Sequence, residues 1–116
     1  MLNRIELIGR IGSVRFQSVG VTPRVRVANF SVCTETATRN SKDEVVVEVA
    51  WFNCVLWEAF AGELDNLEKG LPVHVVGRVR QRSYTGADGD VRPVAEVVVK
   101  EYQITTPELA LESQKA

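Results

Sequence analysis

The stretch Trp51-Phe52-Asn53-Cys54-Val55-Leu56-Trp57, followed by Phe60, Ala61, Leu64 and Leu67 and then by Gly70-Leu71-Pro72-Val73-His74-Val75-Val76-Gly77-Arg78-Val79-Arg80, changes its hydrophobic period twice. The first part is rich in aromatic and β-branched residues and reads as a strand. In the middle, Phe60, Ala61, Leu64 and Leu67 fall at helical spacing. Gly70 supplies a stop, and Pro72 forbids continuation of a helix. The third part is a strand again. The expectation is strand, short helix, strand.

Working outward, the same strand grammar recurs. Leu2 to Ile11 places Leu2, Arg4 and Glu6 on one face and Asn3, Ile5 and Leu7 on the other. Gly9 and Gly12 interrupt it, as Gly77 interrupts the later strand, and glycine inside a strand marks a bulge or sharp bend. A turn at Gly20-Val21-Thr22-Pro23 leads into a second strand, Val25 to Thr34. Polar residues Thr36 to Asp43 form a hairpin tip before the third strand, Val45 to Leu56. The fourth strand spans Val73 to Tyr84, the loop Thr85 to Asp90 follows, and the fifth spans Val94 to Ile104. The order β-β-β-α-β-β predicts an all-β, five-stranded Greek-key barrel of the OB type, with one short helix between strands three and four. An open α+β sheet is the alternative. Residues 1–106 are expected to form the domain and 107–116 a short C-terminal tail.

A chain of 116 residues can bury one core without metals or disulfides. No apolar run approaches the roughly 18 residues of a membrane span. Met1 to Arg4 runs directly into an amphipathic strand, unlike a signal peptide, so a cytoplasmic, nucleoid-associated protein is expected. Cys33 and Cys54 form no C-x-x-C pair and His74 stands alone among valines, which argues for reduced packed thiols and against a zinc site. There is no G-x-S-x-G and no phosphate-cradling G-x-x-x-x-G-K. Glu44 and Glu48 lack a neighbouring base and read as a solvated face. No catalytic residue, metal or cofactor is expected.

The formal net charge of −1 conceals an uneven distribution. Residues 1–42 carry seven basic and two acidic side chains, residues 43–76 one and seven, and residues 77–107 five and four. Folding could segregate these into a basic groove, or leave a solvated mixture. In Arg78-Val79-Arg80-Gln81-Arg82-Ser83-Tyr84 the period of two puts Arg78, Arg80, Arg82 and Tyr84 on one face, and Val79 with Val73 and Val75 on the face toward the core. Three arginines on one face repel each other unless something anionic lies across them. A row of phosphates is the natural partner, with Tyr84 as a stacking platform. Cross-strand glutamates on an exposed face are the plainer alternative. Trp51 and Trp57, six residues apart, also share a face and could stack bases, whereas Phe52 points the other way into the core or an interface.

With these residues assembled, the chain resembles the bacterial single-stranded-DNA-binding protein family. Leu2 to Gly12 is similar to the family's first strand, Val27-Ala28-Asn29-Phe30-Ser31-Val32 to its second, and Trp51 to Trp57 to its third. Lys69-Gly70, then Gly77-Arg78-Val79-Arg80, Tyr84 and Asp88-Gly89 follow the fourth-strand pattern. The resemblance covers residues 2–104. It implies an OB fold, a homotetramer, and binding of single-stranded DNA with little sequence preference. It implies stacking by Trp51, Trp57 and Tyr84, and phosphate contacts from Arg4, Arg15, Arg80, Arg82 and Arg92. Two departures stand out: Thr38 occupies a place where the family often has an arm aromatic, and Phe52 stands where the family has histidine. The apolar faces around Val45, Val47 and Val73 to Val76 are the expected oligomer surface. Glu108 to Ala116 holds two acids, one lysine and no terminal aromatic, so no acidic hook for replication partners is expected from it. A primosomal-type scaffold of the same fold, or an OB protein–protein adaptor, are the competing readings.

Overall fold

The computed structural model describes residues 1–20, 25–59 and 62–105. Five strands, β1 (Ile5–Val19), β2 (Val25–Arg39), β3 (Val45–Trp57), β4 (Pro72–Thr85) and β5 (Val91–Ile104), close into a barrel in the order β1-β2-β3-β5-β4. The expected all-β five-stranded barrel is what forms. Four of its ladders are antiparallel. The fifth, between β3 and β5, is parallel and consists of Cys54 opposite Val97 and Val55 opposite Val98.

Closure depends on β1 serving two partners. Its first half, Ile5 to Arg10, pairs with β4, and its second half, Arg10 to Val19, pairs with β2. The strand turns between them where Gly9 and Gly12 lie. A Cβ on Gly9 would collide with the Cys33 carbonyl oxygen, so the backbones can cross this closely only at glycine. A bulge between Ile11 and Val14 sets both Gly12 and Ser13 against Ser31 and accentuates the bend. A second irregularity lies between Val76 and Gly77.

Inside, Leu7, Ile11, Ala28, Phe30, Val32, Cys54, Leu56, Val73, Val75, Val97 and Val99 form one buried cluster, with Leu64 and Leu67 from the β3–β4 connection. Phe52 packs against this cluster, as its alternation from Trp51 requires. Val73, Val75 and Val76 are buried in the barrel, which removes them from the expected oligomer surface. The Val73 and Val75 side chains close the core between β1 and β5. Val45 and Val47 are exposed.

The helix expected between strands three and four is not formed. Phe60 and Ala61 lie outside the described residues, and residues 62–66 form turns. Gly62 has φ 82°, a left-handed conformation that no right-handed helix accommodates. The Asp65 amide donates to the Gly62 carbonyl at 3.1 Å and the Leu67 amide to the Leu64 carbonyl at 3.2 Å, which are successive tight turns. They suffice to place Leu64 and Leu67, 0% and 3% exposed, beneath the barrel. The Tyr102 hydroxyl donates to the Glu63 carbonyl and pins the segment to β5. A helix this short has little propensity to resist such packing. The strands also run longer than their patterns: β1 continues eight residues past Ile11 to Val19, and β2 continues to Arg39, because the exposed hairpin arms keep their ladders without a buried face. The tail beginning at residue 107 and most of the Gly20–Pro23 turn lie outside the described residues.

Candidate nucleic-acid interface

The outward face of β1, β2 and β3 is built in rows by the register. Trp51 lies opposite Cys33, Asn53 opposite Ser31, Val55 opposite Asn29 and Trp57 opposite Val27. On β1, Arg10, Arg15 and Gln17 extend three of these rows, opposite Cys33, Asn29 and Val27. Strand alternation therefore sends Trp51, Asn53 and Trp57 to the same side, about 20 Å apart from first to last at the rise of a strand. Trp51 is 62% exposed and Trp57 47%, which is more than core tryptophans show. The Trp51 ring reaches across β2 onto β1, where a Cβ on Gly12 would strike it. Gly12 thus serves two needs: it bends β1 and gives the ring a seat.

Beside this face, β3 and β5 diverge beyond their two paired positions and leave a groove. Ser13, Arg15, Asn29, Ser31, Asn53, Arg82 and Glu96 line a polar depression in it. An adjoining apolar depression is lined by Ile5, Trp51, Phe52, Val79, Ala95 and Val97, and Asn53 and Glu96 border both. The Ser13 amide donates to the Ser31 hydroxyl at 3.0 Å, which fixes the bulge as part of the floor. Val79 was expected to face the core. Its register partner Val97 is buried in the core, but Val79 lines the apolar depression and is 38% exposed.

The nine candidate residues separate into three places. Trp51, Arg15, Arg80 and Arg82 meet around the groove, with Trp57 at the far end of its outer face. Tyr84 and Arg92 oppose each other on the β4–β5 arm, where Arg92 is paired with Asp88. Arg4 and Arg78 line a different depression with Leu2, Asn3 and Lys100, and Arg4 also pairs with Glu6 at 3.3 Å. The arginine face of β4 is therefore divided between two sites, and the cross-strand glutamate alternative holds for Arg80, whose Nε donates to Glu96 at 3.0 Å. Sequence reading missed Ser13, Asn29, Ser31, Asn53 and Glu96. The signal was present: one acid stands alone in the run Val94 to Val99, and polar residues alternate through β2 and β3.

The family model described as Single-strand binding protein family matches residues 2–105. The chain belongs to that family. A single-stranded DNA-binding protein of Oceanobacillus iheyensis is 37% identical over 105 residues, covering 89% of this chain and 63% of the relative. One from Neisseria meningitidis is 32% identical over 107 residues, covering 89% and 59%. This single-strand binding family member therefore spans about three fifths of the length of those curated relatives. Among solved structures, the Plasmodium falciparum SSB complex with ssDNA shares the fold with a TM-score of 0.79 at 23% identity, over 91% of this chain and 97% of that one. A deletion mutant of the Thermus aquaticus single-stranded DNA binding protein does so with a TM-score of 0.74 at 20% identity, over 91% and 51%.

The thiols bear on the chemistry of the family member's site. Burial raises the Cys54 thiol to about 12, so it stays protonated and unreactive. Cys33 is half-buried beside Trp51. Among the described residues, no group of three or more His, Cys, Asp or Glu side chains could hold a metal ion.

Proposed function

We propose that the chain binds single-stranded DNA without sequence specificity, protecting it during replication, recombination or repair, and that it acts by binding and not by catalysis. The observation that carries this is the exposed Trp51 ring seated on Gly12, next to a polar groove edged by Arg15 and Arg82. Every base has a face to stack, so tryptophan platforms accept a strand whatever its sequence. Arginines beside them neutralise its phosphates. Trp57 and, on the β4–β5 arm, Tyr84 extend the stacking path, with Arg92 beside Tyr84. Arg4 and Arg78 give a basic cluster that a strand leaving the groove would meet. Such a protein works in the cytoplasm with the nucleoid.

A homotetramer fits this role, because a strand passed over several barrels gains contacts through effective concentration. The exposed Val45, Val47 and Val49 on the β2–β3 arm offer apolar surface for it. The deciding experiment is titration of the intrinsic tryptophan fluorescence with oligo-dT of several lengths. Saturable quenching is expected, weakening as salt rises. Absence of quenching at low salt would favour an OB adaptor that binds proteins.

A further inference from the structure

Glu96 is 7% exposed, and it is the one buried charged side chain among the described residues. Its Oε1 accepts from Arg80 Nε at 3.0 Å and from Arg80 Nη2. Arg82 Nε stands 3.4 Å from the same oxygen. A carboxylate this buried persists only when paired, and Arg80 provides the pairing with two donors. The two arginines differ in what remains to them. Arg80 has two of its donors turned onto the carboxylate and its side chain is 42% exposed, whereas the Arg82 side chain is 62% exposed and lines the polar depression with Arg15.

We propose that Glu96 is a positioning residue that sets how many phosphates the groove neutralises. It occupies Arg80 as an internal counter-ion, so that Arg80 forms a neutral wall and Arg82 is the strand-facing phosphate ligand. The inference rests on the strand-binding reading above. It assigns different roles to two arginines that the period of the strand makes equivalent.

Measuring oligo-dT affinity against salt counts the phosphates directly, since the log–log slope changes by about 0.7 per phosphate on a single strand. Glu96→Gln should release Arg80 to a phosphate, giving tighter binding at low salt and a slope steeper by about 0.7. The charge-neutral double variant R80Q/E96Q should keep the parent slope, because neither residue contributes a phosphate contact in the parent. A slope for Glu96→Gln equal to or shallower than the parent's would overturn the proposal. So would a double variant shallower by about 0.7, which would make Arg80 a phosphate ligand. Should Glu96→Gln fail to fold, as read from thermal unfolding, the double variant decides alone. If the parent itself fails to bind oligo-dT, the strand-binding function falls and the proposal with it. A parent that binds while the variants disobey sinks the proposal only.

Discussion

A tryptophan ring that crosses one strand to rest on a glycine of the next can be displaced by very little. Gly12→Ala puts a methyl where the Trp51 ring lies and against the Ser31 hydroxyl, and these two side chains are what must move. Strand affinity should fall while thermal stability changes little, as fluorescence titration and a melting curve would show. Trp51→Ala removes the platform itself and should cost about 1–3 kcal/mol of binding with the fold intact. If it binds oligo-dT like the parent, Trp51 does not stack. Cys54 gives a prediction about pH. Its thiol is raised by burial from its ordinary 9.0 to about 12, so the folded chain holds that proton more tightly than the unfolded chain. This contribution to stability is complete below pH 9 and lost as pH climbs through about 12. Chemical denaturation across that window should show a steeper decline for the parent than for Cys54→Val. Equal declines would mean the thiol is not held out of water.

At the level of elements, the turns under the barrel are the instructive case. Helical spacing at Leu64 and Leu67 correctly marked side chains that reach the core, and wrongly marked the backbone that carries them. Residues at i and i+3 come together in a tight turn as well as in a helix, so the spacing alone could not separate the two. Gly62 was the clue, because at φ 82° a side chain is strained. Gly62→Ala should destabilise the protein by about 1 kcal/mol or more, measured by denaturant unfolding, without altering strand affinity. A neutral or stabilising effect would mean the turn has another conformation. Strand identity, order and the bends at Gly9, Gly12 and Gly77 were legible because alternation and glycine placement are local signals. The groove was less so. Trp51, Arg15 and Arg82 could be named as candidates, but Glu96 and Asn53 meet across strands far apart in sequence, and only the closed barrel brings them together. The same holds for the division of Arg78 from Arg82, which share a strand face yet line different depressions.

For the whole molecule, oligomerisation is the open arrangement that the exposed arm valines address. Val45, Val47 and Val49 are 63%, 61% and 55% exposed on one edge of the β2–β3 arm. Sedimentation at micromolar concentration should show an assembly larger than a monomer, and Val47→Glu should shift it toward smaller species while single-barrel folding persists. A monomeric parent would remove the tetramer. The β3–β5 ladder has a mechanical consequence. With two residue pairs there and long ladders in the flanking hairpins, the barrel is built like a clip: β2 and β3 make one jaw, β4 and β5 the other, and β1 is shared by both. A slight swing of such jaws would change the width of the depressions that Asn53 and Glu96 line, without breaking either hairpin. On the strand-binding reading proposed above, such a frame would take purines and pyrimidines at different groove widths, so that compliance would serve indifference to sequence alongside stacking.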